Sequence, residues 1–422
     1  MDTTSRQPRD RVALRVVRAV LVRIDASLSQ KGPVFKQLAV SWAANVAGDT
    51  LVAVGLAGTL FFDVPSTEAR SKVALYLLLT VAPFAVVTPA LAAIFGRFPG
   101  AYRAVLTSSA ALRAGVAVVM TMGMGSLWLF PMAFGMLVLS RLYGISKNAL
   151  LPVVLSEPVA LVSTNALLAR LGVYAGAVAL PVGAGLAGIS PSLALMLAVV
   201  LFILSAFAGL GLPSPRRVRK GFGDARGAEA GADVLGPTHR PGSMRSLRLA
   251  RLATAGVRLL NGFLLALLAF EFKDTGSFLD FGTLIAGAGI GFGLASYLAP
   301  FLERRLKEEP MVVAALAIEA AAAFVAGEFF NLWAAAAVSA AAGLAWGTAK
   351  FAFDGLLQSV VRPEKRGGAF TRSETLFQLA WVLGAVLPVS ISIDAQLGLA
   401  VAGVAALTAQ TTFVADLLVS PR

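Results

Sequence analysis

A carboxylate lies in the middle of the first long apolar stretch of the sequence. Asp49 stands within residues 34–62, with Asn45 one helical turn before it and Trp42 two turns before it, so the three side chains share one helix face. An ionisable group in mid-membrane costs at least about 2.5–3.5 kcal/mol and persists only in a protein interior or a water-filled cavity. The pattern predicts a site for proton coupling and ligand contact. A purely structural buried pair is the alternative.

Two arginines lie in the middle of other apolar stretches. Arg141 lies within residues 127–154, and Arg258 lies within residues 246–271, with Asn261 less than one turn away. Arg258 is too far from either end of its stretch to reach the lipid headgroups, as arginines near helix ends do. We therefore expect Arg258 and Asn261 to line a cavity inside the protein.

Five further ionisable groups lie nearer to one end of their stretches. Lys350 and Asp354 are four residues apart on one helix face and should form an ion pair. The other three are Lys147, Arg170 and Glu374. We expect this set to form a cytoplasmic gate, in which salt bridges between the two halves of the chain close the cavity. Bracing within each half is the alternative.

The deep ionisable groups carry a small excess of positive charge, which favours an anionic or amphiphilic substrate. The basic members are Arg113, Arg141, Lys147, Arg170, Arg258 and Lys350, and the acidic members are Asp49, Glu319, Asp354 and Glu374. The chain has no cysteine, and its single histidine, His239, lies in a polar segment rich in Gly and Pro. This excludes thiolate metal sites, and it leaves proton chemistry to carboxylates. No nucleophile–base set or metal-ligand spacing is present, so we expect no enzyme activity, no cofactor and no metal.

The composition indicates the environment of these groups. Of the 422 residues, 57% are hydrophobic and 14% are charged, whereas soluble domains carry roughly 45–50% apolar and about 25% charged residues. The mean hydropathy is +0.79 and the formal net charge is +13. These values exclude a soluble enzyme, a disordered chain and a disulfide scaffold, and they predict an all-α polytopic membrane protein.

Twelve segments are apolar enough over the length of about 20 residues that a spanning helix needs. Numbered spans 1 to 12 in chain order, they are 34–62, 72–96, 104–124, 127–154, 162–188, 191–213, 246–271, 279–302, 311–327, 331–360, 369–392 and 396–418. The glycines of span 8, at positions 287, 289, 291 and 293, alternate and therefore predict ordinary close packing rather than a single stripe of small residues.

The spans divide into two halves. We predict a basic N-terminal segment at 1–33 with an amphipathic helix, a six-helix bundle at 34–213, a cytoplasmic linker at 214–245 and a second six-helix bundle at 246–422. The halves also share short motifs. Leu91-Ala92 before Arg97 recurs as Leu298-Ala299 before Arg304, and Pro181-Val182 recurs as Pro388-Val389 at the same offset. Parallel six-span repeats are one known transporter architecture.

The distribution of basic residues predicts the orientation. Most of the 36 Lys and Arg residues lie in the N-terminal segment, in the loops after even-numbered spans and at the C-terminus, whereas Arg70, Lys72 and Lys273 lie in the opposite loops. The positive-inside rule then predicts a multi-pass plasma (inner) membrane protein with both termini cytoplasmic. The N-terminal basic helix is expected to lie on the anionic lipids of the inner leaflet.

The sequence resembles the major facilitator superfamily (MFS). Residues 91–97 are similar to the cytoplasmic signature of that family at Leu91, Ala92, Gly96 and Arg97, although Ala93-Ile94 replaces its Asp-Arg pair. Arg141-x-x-Gly144 and the stretch 180–185 resemble other family patterns, and the stretch 377–384 resembles poorly characterised actinobacterial members.

The resemblance implies a central cavity lined by spans 1, 4, 7 and 10, in which Arg141 would face Asp49. It also places Gly96 and Arg97 in the cytoplasmic gate. Because spans 3 and 9 are peripheral in the family, Arg113 and Glu319 are interpreted as structural. The expected function is secondary transport of a small organic molecule by alternating access, coupled to protons and directed outward.

Two alternatives remain at this stage: transport of a lipid or cell-envelope precursor, and a non-transporting subunit of a membrane complex. The expected partners are a small-molecule or lipid-like substrate and membrane lipids. We expect no nucleic acid partner and a monomeric state.

Overall fold

The computed structural model describes residues 26–60, 94, 98, 101–123, 128–155, 161–213, 244–275, 278–306, 308–391 and 393–419. These residues contain eleven long helices: Pro33–Leu60 (span 1), Tyr102–Met122 (span 3), Leu129–Val154 (span 4), Leu161–Ile189 (span 5), Pro191–Leu210 (span 6), Met244–Thr275 (span 7), Phe278–Glu303 (span 8), Glu308–Glu328 (span 9), Leu332–Val360 (span 10), Pro363–Ser390 (span 11) and Ala395–Val419 (span 12). In the described part of the chain, the helices of spans 1, 3, 5 to 10 and 12 are long and apolar enough to cross a membrane.

The helix bounds follow the predicted spans closely, with one clear difference at span 11. Its helix begins at Pro363, well before the predicted start at residue 369. Proline is favoured in the first turn of a helix because the N–H group that it lacks would have no partner there. Hydropathy registers only the apolar part of a helix, so it does not detect the polar turn at 364–368.

Several expectations fall outside the described residues. They are the N-terminal amphipathic helix, span 2 apart from residue 94, most of the linker 214–245, and the gate residues Gly96 and Arg97.

The described helices of the two halves pack in the same pattern. Span 1 contacts spans 4, 5 and 6, and span 3 contacts spans 4 and 6. In the second half, span 7 contacts spans 10, 11 and 12, and span 9 contacts spans 10 and 12. The two halves meet where spans 4 and 5 contact spans 8, 10 and 11. The repeat that short motifs indicate is therefore also present in the helix packing.

Contacts between helix ends define one end of the bundle, which we call the basic end. Here Arg103 at the start of span 3 donates to the carbonyl oxygen of Leu212 at 3.1 Å, and Lys31 before span 1 donates to Thr164 Oγ1 at 2.9 Å. The connections at this end include Arg304, Arg305 and Arg362. It is the end that the charge distribution predicts to be cytoplasmic.

Spans 8 and 10 approach each other more closely than alternating glycines suggest. Gly287 and Gly291 are buried against the backbone of Ala336 and Ala340, whereas Gly289 and Gly293 have open space where a Cβ would lie. Gly343 on span 10 meets the span 8 backbone in return. The prediction that the four glycines form no single stripe is therefore confirmed, because they lie on two faces of the helix. Residues 287 and 291, which are one helical turn apart, form a small-xxx-small pair on the face that meets span 10.

Candidate functional site

An ion-pair cluster lies between spans 10 and 11. Lys350 Nζ is 2.5 Å from Asp354 Oδ1 on the same helix and 2.6 Å from Glu374 Oε1 on span 11. The predicted pairing of Lys350 with Asp354 is confirmed. Both ion pairs lie within the C-terminal half, which is the bracing arrangement and not the arrangement of salt bridges between the halves. Lys350 lies ten residues before the end of span 10, or about 15 Å at 1.5 Å per residue, so the cluster is well inside the bundle.

Lys147 of span 4 faces this cluster from the N-terminal half. Its charge interacts with Asp354, Glu374 and Lys350. Its Nζ lies 4.0 Å from the ring centroid of Trp42, and in the described part of the chain no carboxylate oxygen lies within 4 Å of it. Among the residues that the structure describes, Lys147 is thus a largely buried cation that is held by a ring face and has no ion-pair partner.

The Trp42 indole is held rigidly in place. Its Nε1 donates to the carbonyl oxygen of Leu168 on span 5 at 2.7 Å, and its ring stacks on Tyr143 with centroids 6.2 Å apart. The Tyr143 hydroxyl is itself bonded to Ser41 at 2.7 Å. Gly172 allows the indole to approach span 5, because a Cβ there would lie 3.1 Å from Trp42 Nε1.

Arg258 occupies a comparable position in the C-terminal half. Its guanidinium carbon lies 4.3 Å from the ring centroid of Trp346 and 5.5 Å from that of Trp381. Among the described residues no carboxylate oxygen lies within 4 Å of it, although its charge interacts with that of Glu374. A guanidinium between two indoles is a favourable cation–π arrangement.

The side chains of Arg141 and Asn261 differ in exposure. Arg141 lies at mid-depth in span 4 with an accessible side chain, and it interacts electrostatically with Glu374 across the two halves. Asn261 is only 3% exposed, and its amide donates to the carbonyl oxygen of Ala342 at 2.8 Å. Its side chain therefore ties span 7 to span 10.

Asp49 has a different partner from the one expected. Arg113 of span 3 forms an ion pair with Asp49, and it also donates to Asn45 Oδ1 at 2.6 Å. The guanidinium lies 4.1 Å from the ring centroid of Phe202. The expectation that Asp49 faces Arg141 as its partner was therefore wrong, because its ion-pair partner is Arg113. The side chain of Arg113 is completely buried and that of Asp49 is 36% exposed, so the base of this pair is enclosed and its acid is partly accessible.

Neutral hydrogen bonds join the halves near the basic end. Asn165 of span 5 donates to Gln358 Oε1 of span 10 at 2.8 Å, and Gln358 donates to the carbonyl oxygen of Asn148 on span 4 at 2.9 Å. Gln358 is completely buried. These amides carry no charge, so the pattern of ionisable residues did not identify them; an amide on an otherwise apolar helix face is the sequence signal that marks them.

A carboxylate also crosses between the halves at the basic end. Glu303, the last residue of span 8, accepts from the backbone N–H of Val162 at 3.3 Å and of Ser163 at 3.0 Å. These N–H groups belong to the first turn of span 5, where no intrahelical partner exists and the helix dipole favours a negative charge. Burial lowers the pKa of the neighbouring Lys31, and the Glu303 carboxylate opposes that shift.

The start of span 3 makes an equivalent contact with span 11. The backbone N–H of Gly367 donates to the hydroxyl oxygen of Tyr102 at 3.2 Å. Arg170 of span 5 adds a contact with the ring of Tyr297 on span 8 at 4.8 Å. In the described residues the basic end is therefore closed by amides, a capping carboxylate and ring contacts.

The arrangement of two paired helical halves around a charged centre is similar to that of several solved transporters. The human organic anion transporter MFSD10 has a TM-score of 0.67 at 17% identity, with 90% of this chain and 98% of that chain covered. A bacterial homologue of the iron transporter ferroportin, in an outward-facing state, has a TM-score of 0.63 at 17% identity and the same coverage. The MFS transporter FucP in an outward conformation has 0.61 at 14%, again with the same coverage.

The described helices of this chain therefore have the fold of major facilitator superfamily transporters, and the chain is related to uncharacterised mycobacterial proteins. An uncharacterised protein of Mycobacterium leprae is 30% identical over 398 residues, which cover 85% of this chain and 68% of that protein. An uncharacterised protein of Mycobacterium tuberculosis is 31% identical over 393 residues, which cover 85% of this chain and 70% of that protein. No family model matches the chain.

Proposed function

We propose that this protein is a secondary transporter of a small organic anion. The observation that carries the proposal is the pair of largely buried cations, Lys147 and Arg258, which lie against tryptophan rings without a carboxylate within 4 Å in the described residues. Unpaired buried cations are costly unless an anion neutralises them. A bound carboxylate, sulfonate or phosphate would supply that charge.

The rest of the centre supports the same substrate class. Arg141 and Lys350 add two positive charges, and Asp354 and Glu374 supply two negative charges. The indoles of Trp42, Trp346 and Trp381 provide apolar faces beside the cations. This combination suits an anion with an aromatic or other apolar body. The likeness to an organic anion transporter is consistent with it.

We further propose that the described conformation is open away from the basic end and that the basic end is cytoplasmic. The hydrogen bonds of Gln358 and Glu303 close that end, and the accessible side chain of Arg141 lies at mid-depth. Alternating access would then require these contacts to break. We expect proton-coupled export across the inner membrane, with Asp49, Asp354 and Glu374 as the candidate proton carriers.

Replacing Lys147 with glutamine is expected to weaken anion binding about 10- to 100-fold, because a charge-assisted contact contributes roughly 1.5–3 kcal/mol. Binding of benzoate, naphthoate and phenyl phosphate to the purified chain would be measured by thermal stabilisation and isothermal calorimetry. Benzamide and benzylamine serve as neutral and cationic comparators of similar shape. Lys365→Gln, at an exposed lysine of the basic end, is the matched control and should bind normally.

The proposal fails if benzoate, benzamide and benzylamine stabilise the protein equally, or if Lys147→Gln binds anions as the parent does. Proteoliposome uptake with a pH-sensitive dye inside then tests coupling: anion-dependent proton movement supports it, and anion flux without proton movement rejects it. Stabilisation by lipid phosphates alone would instead favour a lipid or envelope-precursor transporter. Stoichiometric co-purification of a partner without flux would favour a subunit role.

Replacing Gln358 with leucine is expected to open the basic end. The change removes two hydrogen bonds between the halves and leaves Asn165 without its acceptor, at a cost of about 1–3 kcal/mol to the closed state. Because the chain has no cysteine, Val162→Cys supplies a single thiol at this interface. We expect its maleimide labelling to become about tenfold faster, as a shift of about 1.4 kcal/mol implies.

Gln396→Leu, at an exposed amide on the opposite end, is the matched control for this measurement and should leave the labelling rate unchanged. Equal labelling in the Gln358→Leu and parent backgrounds would show that the amide contacts do not control opening.

A further inference from the structure

In the part of the chain that the structure describes, the carboxyl group of Glu319 on span 9 is buried and has no hydrogen-bond partner. The residue is 1% exposed, and neither carboxyl oxygen has a partner among the described residues. An ionised carboxylate in such a place would lose its solvation without compensation. The neutral acid is therefore the stable form in this conformation, and proton loss would require a cation to approach.

Among the described residues, one cation of a neighbouring span interacts electrostatically with Glu319. Span 9 packs against spans 7, 10 and 12. Span 12 carries no ionisable residue between positions 395 and 415, and the ionisable groups of span 10 between 332 and 360 are Lys350 and Asp354, which belong to the ion-pair cluster. Span 7 carries Arg258 at mid-depth, and its other ionisable residues lie nearer to its two ends: Arg245, Arg248, Arg251, Glu271, Lys273 and Asp274. Among these, Arg258 is the group whose charge interacts with Glu319.

The repeat strengthens this link. In the N-terminal half an acid on span 1, Asp49, pairs with a base on span 3, Arg113. In the equivalent C-terminal helices the signs are exchanged, with the base Arg258 on span 7 and the acid Glu319 on span 9. Asp49 and Arg113 form an ion pair, whereas Arg258 lies against the rings of Trp346 and Trp381.

We propose that Glu319 is a proton-binding site that determines whether Arg258 faces the substrate centre or the interior of the C-terminal half. With Glu319 protonated, Arg258 stays between the two indoles and is available to an anion. When the O–H bond of Glu319 breaks and its proton passes to water, the carboxylate draws Arg258 away and closes the pair, as Asp49 and Arg113 do. This inference rests on the proposed anion transport and adds a proton carrier to it.

Tryptophan fluorescence can test this without substrate, because Trp346 and Trp381 flank Arg258. In a variant that retains only these two of the five tryptophans, we expect the emission to change across mildly acidic to alkaline pH as Arg258 leaves the rings. Glu319→Gln should abolish that change. Glu328→Gln, at the exposed end of the same span, should leave it intact.

Glu319→Leu provides a second measurement, because replacing a buried unpaired acid with an apolar group should preserve folding and also abolish the change. A pH-dependent change that is identical in the parent and in either Glu319 variant overturns the proposal. A fluorescence change that depends on Glu319, combined with absence of anion binding by the chain that keeps all five tryptophans, would support the proton site and reject the proposed transport function. Anion binding by the chain that keeps all five tryptophans, combined with the same fluorescence titration in Glu319→Gln as in its parent, would support the transport function and reject the proton site.

Discussion

Replacing Asp49 with alanine is expected to destabilise the N-terminal half by about 3–5 kcal/mol, because breaking a buried ion pair leaves an uncompensated charge. Arg113 is completely buried, and its remaining contacts are with the neutral residues Asn45, Met136 and Phe202. The hydrogen bond to Asn45 and the ring of Phe202 offset part of the loss, so we expect the lower part of this range. The yield of monodisperse protein and its thermal midpoint would measure the effect.

A second substitution separates stability from function. Arg113→Met in the Asp49→Ala background removes the stranded charge, and replacing a buried ion pair by apolar groups is often neutral or stabilising. The double variant should regain the thermal midpoint of the parent. If Asp49 also carries a proton, the rescued protein should still lack proton-linked flux.

Glu328→Gln, at an exposed carboxylate of span 9, is the control and should behave as the parent does. A normal thermal midpoint for Asp49→Ala alone would show that the pair does not stabilise the fold. A double variant with full coupled flux would remove Asp49 from the proton pathway.

Replacing Gly291 with leucine is expected to disrupt the contact between spans 8 and 10 and to prevent assembly of the C-terminal half. A Cβ at this position would overlap the backbone carbonyl group of Ala340, and a backbone atom cannot move aside as a flexible side chain can. Overpacking typically costs 1–3 kcal/mol, and roughly the upper end or more is expected when backbone must shift. Expression, monodispersity and protease resistance of the purified chain would measure it.

Gly289 offers a matched control two residues away on the same helix. Nothing lies within 4 Å of a Cβ there, and the position is exposed. The Gly289→Leu variant should therefore assemble normally, since an apolar leucine side chain is favourable on a lipid-facing surface. Equal behaviour of the two leucine variants would contradict the close approach of spans 8 and 10.

Some features of the fold could be predicted from the sequence, and others could not. Hydropathy located the spans well, because the requirement for about 20 apolar residues is a property of each segment alone. It failed at the start of span 11, where the helix from Pro363 extends beyond its apolar part. It could not assign faces to the glycines at 287 to 293, because the face that meets a neighbour depends on the rotation of a whole helix.

The sequence identified many of the residues of the candidate site, but it identified fewer of the contacts between them. The pair between Lys350 and Asp354 follows from helical spacing within one span, and the structure contains it. The partner of Asp49 depends on the relative depth and rotation of spans 1, 3 and 4, which no local pattern specifies. The sequence therefore led to a structural interpretation of Arg113 without identifying Asp49 as its partner.

The sequence by itself determined that this is a helical membrane protein with two repeated halves and ionisable groups inside its spans. These properties can be read from each segment alone, because every residue placed in lipid contributes its own transfer free energy. A spanning segment must therefore be apolar over its whole length. Only the tertiary structure decided which charges are paired, that amides such as Gln358 join the halves, and that Lys147, Arg258 and Glu319 have no ion-pair partner within 4 Å among the described residues. The reason is physical: a pairing energy depends on the distance between two helices, and that distance is set by packing over the whole bundle.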